Sequence, residues 1–186
     1  MILLKPIYPA TQEKHVESIM HSTHLRTSWV PVIPVTVGLI LPYLSTYLDI
    51  FLPEIPLSYP QWIGVPVFLG GFLLAFNSVQ LIYSQEQWDK APSPAGTPKH
   101  LVISGPYCYV RNPMLLGMLL IICGEGLYLR SIGILSYLTA FFLFVNFVMV
   151  PGEERRLDEH FGEQYLRYKS KIRRWLPTTS PYKNDR

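Results

Sequence analysis

Residues Ser131–Val150 read SIGILSYLTAFFLFVNFVMV, twenty positions without a charge. A helix needs about 20 apolar residues to cross the hydrocarbon of a bilayer. Immediately before this run lies Pro113–Leu129, PMLLGMLLIICGEGLYL, apolar apart from Glu125, and only Arg130 separates the two. The pair predicts a tight antiparallel helical hairpin in a membrane. Two earlier stretches, Thr27–Leu48 and Trp62–Tyr83, also carry no charged residue. Pro31, Pro34 and Pro42 bend the first of them without forbidding it, because membrane helices can re-satisfy the backbone bonds that proline removes. The expected fold is all-α, a single domain over residues 1–186: an integral-membrane helical bundle. Its four transmembrane helices fall at 27–48, 62–83, 113–129 and 131–150, and a C-terminal amphipathic cytoplasmic helix lies in the tail, 151–186.

Composition agrees with that reading. The chain is 49% hydrophobic and 16% charged, where soluble domains carry about 25% charge. A net charge of +3 gives no footing for a nucleic-acid partner. Two cysteines, Cys108 and Cys123, cannot build a disulfide framework or a zinc ribbon. His15, His21 and His24 lack further ligands at metal spacing, so no metal site is expected. The N-terminus does not show the charged-then-apolar pattern of a cleaved signal peptide. Basic residues set the orientation. The connection Asp49–Gln61 has none, whereas Ser84–Asn112 has Lys90, Lys99 and Arg111, and the tail has nine. Both termini and the middle loop are therefore expected on the cytoplasmic face, with Arg130 the one basic residue opposite.

Two segments on that face could carry chemistry. The first is Leu101–Gly117, LVISGPYCYVRNPMLLG. Gly105-Pro106 and Asn112-Pro113 are turn signals, and Pro113 suits the first turn of a helix with Asn112 available as its cap. The positive end of that helix beside Arg111 makes a seat for a carboxylate or phosphate; the plainer alternative is that Arg111 snorkels to lipid headgroups. The second is GEERRLDEHFGEQYLRYKSKIRRWLP from Gly152. Leu157, Phe161, Tyr165, Tyr168 and Ile172 form one stripe on a predicted helix, with Glu163 and Arg167 paired on its wet side. Glu153 and Glu154 at the membrane boundary could hold a cationic ligand or accept from a ribose. Glu125, inside the third run, is expected to pair with Arg130 near the far surface.

In this order on one face, the two segments resemble the isoprenylcysteine carboxyl methyltransferase and phospholipid methyltransferase group of integral-membrane enzymes. Its pattern is LV-x-x-G-x-Y, then R-H/N-P-x-Y-x-G, a short hairpin, and E-E-x-x-L-x-x-x-F-G-x-x-Y-x-x-Y ending in L-P. The resemblance covers roughly the C-terminal half and implies an S-adenosylmethionine-dependent methyltransferase acting on a lipidic or apolar small molecule at a carboxylate, thiol or amine. It implies a cofactor pocket between the last spans and the C-terminal helix, lined by Leu101, Val102, Gly105 and Tyr107. Arg111, Asn112, Pro113, Glu153 and Glu154 would contact the cofactor, with Arg111 and Glu154 as the catalytic pair. Three positions depart from the pattern: Lys99 where a histidine is common, Asn112 for the histidine of prenylcysteine enzymes, and Leu115 for tyrosine. Two alternatives accompany this reading, a nicotinamide-dependent membrane reductase of the steroid 5α-reductase kind and a non-catalytic helical membrane protein.

Overall fold

A computed structural model describes residues 35–52, 58–88 and 101–182. Residues 27–34 of the first expected span, the three N-terminal histidines, Lys99 and His100 lie outside the described residues. Among the described residues all regular structure is helical. Helix α1 is Thr36–Ile50, α2 is Gly64–Trp88, α3 is Pro113–Leu129, α4 is Ile132–Phe161 and α5 is Glu163–Lys171.

Two helices, Gln61–Ile82 and Ile132–Phe161, are long and apolar enough to cross a membrane. Only 11% and 17% of their apolar windows are buried inside the protein. Phe72, Leu73 and Phe76 on α2 and Phe147 and Val148 on α4 face outward. A soluble monomer does not expose apolar surface on this scale, and lipid is the solvent that accommodates it.

Prolines within α1 and α4 are absorbed by the same device. Each is preceded by a wide π turn, Thr36–Ile40 before Pro42 and Val145–Met149 before Pro151. A proline has no N–H and its ring crowds the carbonyl one turn back, so the turn ahead of it opens. Leu41 accordingly donates to Thr36 O, five residues back. The next donor along would be Pro42, which has none to give, and Val37 O is satisfied instead by the hydroxyl of Tyr137 on α4 at 3.0 Å.

The core of the bundle is the α2–α3 contact, where the two backbones touch. A Cβ placed at Gly64 would meet Gly124 O at 2.5 Å, and one at Gly71 would meet Gly117 O at 2.7 Å. The reciprocal positions are as tight: a Cβ at Gly117 would lie 2.6 Å from Ala75 N. Ser78, fully buried on the same face, turns its hydroxyl back to Leu74 O at 2.6 Å rather than across the seam. Small residues at helical spacing are how membrane helices approach closely.

Arg130 adopts the left-handed conformation (φ 51°) and ends α3. Ser131 then caps α4, its Oγ accepting from Ile134 N at 3.0 Å. Asp49, at the end of α1, accepts from Gly133 N at 2.6 Å and supplies a negative charge to the same helix start. Asp49→Ala is expected to cost about 1 kcal/mol, as loss of an N-terminal cap does, read as a lower thermal midpoint in detergent. The expected Glu125–Arg130 pair does not form: Arg130 donates to Tyr59 O at 2.6 Å, and Glu125 Oε2 is buried with no partner among the described residues. The left-handed backbone at 130 directs that side chain across to the loop before α2, away from its own helix.

Candidate functional site

The site lies at the end of the bundle where α3 begins and α4 outruns its apolar stretch. At 1.5 Å per residue, the 30 residues of α4 extend about 45 Å, well beyond the roughly 30 Å of hydrocarbon. Its uncharged run ends at Gly152, so Glu153 to Phe161 project past the apolar stretch. Gly162, with φ of +51°, then breaks the chain, and α5 folds back. The single stripe expected over 157–172 is thus divided between two helices, yet its members still converge. Tyr165, Tyr168 and Ile172 form a buried cluster against which Leu157, Phe161, Leu101, Ile103 and Tyr182 pack. The Glu163–Arg167 pair forms at 3.0 Å on the exposed side.

This small core holds the Tyr107–Arg111 segment in place from the tail side. Arg111 N donates to Arg173 O at 2.9 Å, Thr178 N to Tyr109 O at 2.9 Å, and Tyr182 N to Cys108 O at 2.9 Å. The Tyr168 hydroxyl donates to Tyr107 O at 2.6 Å. The backbone leading into α3 is therefore fixed before any ligand arrives.

Glu154 is the electrostatic centre. It is 5% exposed, and Arg174 grips it through Nε and Nη2 at 2.8 and 2.7 Å. Arg111 Nη1 lies 2.9 Å from its Oε1 and Lys169 Nζ 3.6 Å from its Oε2. Lys169 also bonds Asp158 at 3.0 Å. Three cations thus face two carboxylates, leaving net positive charge in a largely buried place. Burial pushes the Glu154 carboxyl upward, but the Arg174 hydrogen bonds and the charges of Arg111, Arg174 and Lys169 outweigh it, so its pKa falls below the ordinary value. A depressed folded-state pKa gives stability that is complete above about pH 5 and fades as pH falls through the lowered value. Acid titration is therefore expected to loosen this end first, reported by Trp175. That indole packs on Phe142 with ring centres 5.5 Å apart and donates to Asn146 Oδ1 at 2.9 Å.

Around this centre several donors are uncommitted. Arg111 Nη1 approaches Glu154 off the hydrogen-bonding direction, and neither it nor Nε has a hydrogen-bond partner among the described residues. Asn112 stands at the N-cap of α3 but makes no side-chain cap bond, and its buried Nδ2 is also without a partner there. Ser104 Oγ is in the same condition. Pro113 is buried at the first helical position.

The remaining expected residues divide. Gly105 has φ of +54°, and a Cβ there would meet Leu81 Cδ1 at 2.7 Å, so the turn packs flush on α2. Tyr107 is half-buried, and burial raises its hydroxyl pKa to about 12. Leu101 belongs to the tyrosine cluster and Val102 is half-buried beside it in sequence. Glu153 is not drawn into the cluster: its side chain is 58% exposed and lies 3.9 Å from Arg156, since successive helical residues point about 100° apart. Arg174, Lys169 and Asp158 were not anticipated. The only trace of Lys169 and Arg174 in the sequence is the basic run after the tyrosine pair, which reads equally well as a lipid-facing surface.

Comparison with known proteins places these elements. An uncharacterized protein of Haemophilus influenzae is 38% identical over 63 residues, covering 34% of this chain and 100% of that protein. The sequence profile of the phospholipid methyltransferase family matches residues 60–164, more than half of the chain. That range takes in α2, the Gly105 turn, Arg111, α3 and α4 with Glu154, and stops short of Lys169 and Arg174. The chain, a membrane protein with its buried charge cluster at the head of α3, belongs to the phospholipid methyltransferase family.

Proposed function

We propose that the protein is an S-adenosylmethionine-dependent methyltransferase acting on a lipidic or apolar small molecule. In this reading its four apolar segments cross the bilayer, and both termini and the site face the cytoplasm. The observation that carries the proposal is the buried meeting of Arg111 with Glu154, flanked by Arg111 Nε and Asn112 Nδ2, which have no hydrogen-bond partner among the described residues, at the start of α3. The family supplies methyl transfer as the reaction type.

S-Adenosylmethionine, when bound, supplies an electrophilic methyl group on a positively charged sulfur and presents a carboxylate, an ammonium and a ribose to the protein. The residues present fit it. Arg111 Nε and Asn112 Nδ2 have no hydrogen-bond partner among the described residues, and they stand at the positive end of a helix, the place where an anionic group is best received. Glu153, exposed one residue from the cluster, is left to accept from ribose hydroxyls. Leu101, Val102, Gly105, Tyr107 and Pro113 complete the wall we assign to the pocket. Glu154 is held ionised by three cations, which makes it a poor proton acceptor; its role is to orient Arg111 and Arg174. The chain's contribution is then mainly positioning and exclusion of water, which suit an in-line displacement at carbon.

Calorimetric titration of S-adenosylmethionine into the purified protein in lipid nanodiscs tests this. Micromolar binding that disappears in Arg111→Ala is the expected result. No heat and no cofactor-dependent thermal shift in the wild type would overturn the proposal.

A further inference from the structure

We infer that Tyr165 fixes the rotation of the Arg111 guanidinium, and that through Arg111 it sets how selectively the site holds the carboxylate of S-adenosylmethionine. The inference rests on the methyltransferase reading above and adds a positioning residue to its cofactor site.

Tyr165 lies where the tyrosine core of the tail meets the charge cluster. It is 2% exposed and packs with Tyr168 and Ile172, its ring tilted against that of Tyr168 with centres 6.1 Å apart. Lys169 Nζ stands over the Tyr165 ring, 5.8 Å from its centre. The same ammonium reaches Asp158 at 3.0 Å and Glu154 at 3.6 Å. The Tyr165 hydroxyl faces the Arg111 guanidinium, close enough to share a hydrogen bond, and lies within the field of Glu154 and Asp158. Burial pushes its pKa up to about 12, with the two carboxylates adding to the rise and Arg111 opposing it. The phenol therefore stays protonated, and its oxygen can accept from Arg111 without altering the charge of the cluster.

A directional contact of this kind is what the ion pair does not provide. Arg111 Nη1 lies 2.9 Å from Glu154 Oε1 but off the hydrogen-bonding direction. Coulomb attraction depends on separation and draws the two groups together with little regard to angle. A hydrogen bond weakens steeply as it bends, so the tyrosine hydroxyl supplies the angular restraint. With the guanidinium held in this way, Nε, which has no hydrogen-bond partner among the described residues, is left for a ligand beside Asn112 Nδ2 at the positive end of α3. Tyr168, three residues along α5, is the contrast. Its hydroxyl donates to Tyr107 O at 2.6 Å. Both rings fill the same core, but the hydroxyl of Tyr168 serves the backbone and that of Tyr165 serves the charges.

The test uses the full chain in lipid nanodiscs and two ligands that differ only in the carboxylate, S-adenosylmethionine and its decarboxylated form, each titrated calorimetrically. The wild type is expected to bind S-adenosylmethionine at least tenfold more tightly than the decarboxylated form. Tyr165→Phe, which keeps the ring and its packing, should weaken S-adenosylmethionine at least fivefold and the decarboxylated form less than twofold. Tyr168→Phe should lower the unfolding midpoint yet leave the preference between the two ligands as in the wild type, a separation that mere loosening of the core does not produce. Equal loss of both ligands in Tyr165→Phe, an unchanged preference there, or a preference lost to the same extent in Tyr168→Phe overturns the inference. A wild type that binds both ligands equally also overturns it and leaves the proposed function standing. A wild type that binds neither sinks the proposed function itself.

Discussion

Glu154→Gln is expected to lower stability by about 3–5 kcal/mol and to abolish cofactor binding, the largest effect of any single substitution at the site. The substitution is nearly isosteric, so packing is not the cause. It removes the one carboxylate on which Arg111, Arg174 and Lys169 converge, and breaking a buried pair by deleting one partner leaves the others uncompensated. Arg111 has little recourse to solvent, with 11% of its side chain exposed, whereas Lys169 and Arg174 at 33% can partly rehydrate. Arg111→Ala should behave differently. Glu154 keeps both hydrogen bonds from Arg174, and the backbone bond from Arg111 N to Arg173 O does not depend on the side chain. That variant is expected to lose only about 1–3 kcal/mol, the range for leaving a buried polar group short of one partner, while cofactor binding still disappears. Thermal unfolding in detergent together with calorimetry separates the two. A Glu154→Gln protein as stable as wild type would show that the cluster is not the electrostatic centre described above.

This difference also marks where sequence reasoning stops. From the motif alone Arg111 and Glu154 look equivalent, two ligands of one cofactor, and either could be removed without unfolding the chain. In the structure one of them is a hub. Its principal partner, Arg174, lies 20 residues along the chain, beyond the reach of any helical periodicity and past a break at Gly162 that the apolar stripe 157–172 does not announce. The stripe was legible because burial repeats every three or four residues; the break was not, because a glycine inside an amphipathic pattern is tolerated as often as it terminates. The all-helical class and the membrane environment were legible for a simpler reason: uncharged runs of twenty residues have few other uses. The reversal at Arg130 was also visible, as the only charge between two apolar runs. Its partner was not, since the left-handed backbone sends the guanidinium to Tyr59 and away from Glu125. Of the site, the sequence motif located Arg111, Asn112 and Glu154 at one end of the bundle. It could not tell that Glu153 and Glu154 face different surroundings, one exposed and one buried.

Adjacent glycines on α2 should respond in opposite ways to the same added methyl group. Gly71→Ala is expected to destabilise by about 1–3 kcal/mol, the usual cost of overpacking, and Gly71→Leu by more. Gly70→Ala should be neutral or slightly stabilising, because alanine has the higher helix propensity. The reason is the seam: a Cβ at Gly71 would lie 2.7 Å from Gly117 O, Ile121 N and Leu120 Cβ, mostly backbone that cannot swing aside, whereas at Gly70 it meets nothing within 4 Å. The same test applies across the contact, where a Cβ on Gly124 would lie 2.5 Å from Phe68 N. The consequence reaches the site, because α3 starts at Pro113 directly after Arg111 and Asn112. Pushing α3 away from α2 shifts the helix start while the tail continues to hold Arg111 N through Arg173 O, so the donors of Arg111 and Asn112 lose their mutual register. Gly71→Ala should therefore weaken S-adenosylmethionine binding as well as lower the unfolding midpoint, although no cofactor atom is expected within reach of residue 71. Gly70→Ala should leave cofactor binding intact. If both substitutions prove equally harmless, the two backbones are not in contact and the close approach of α2 to α3 is wrong.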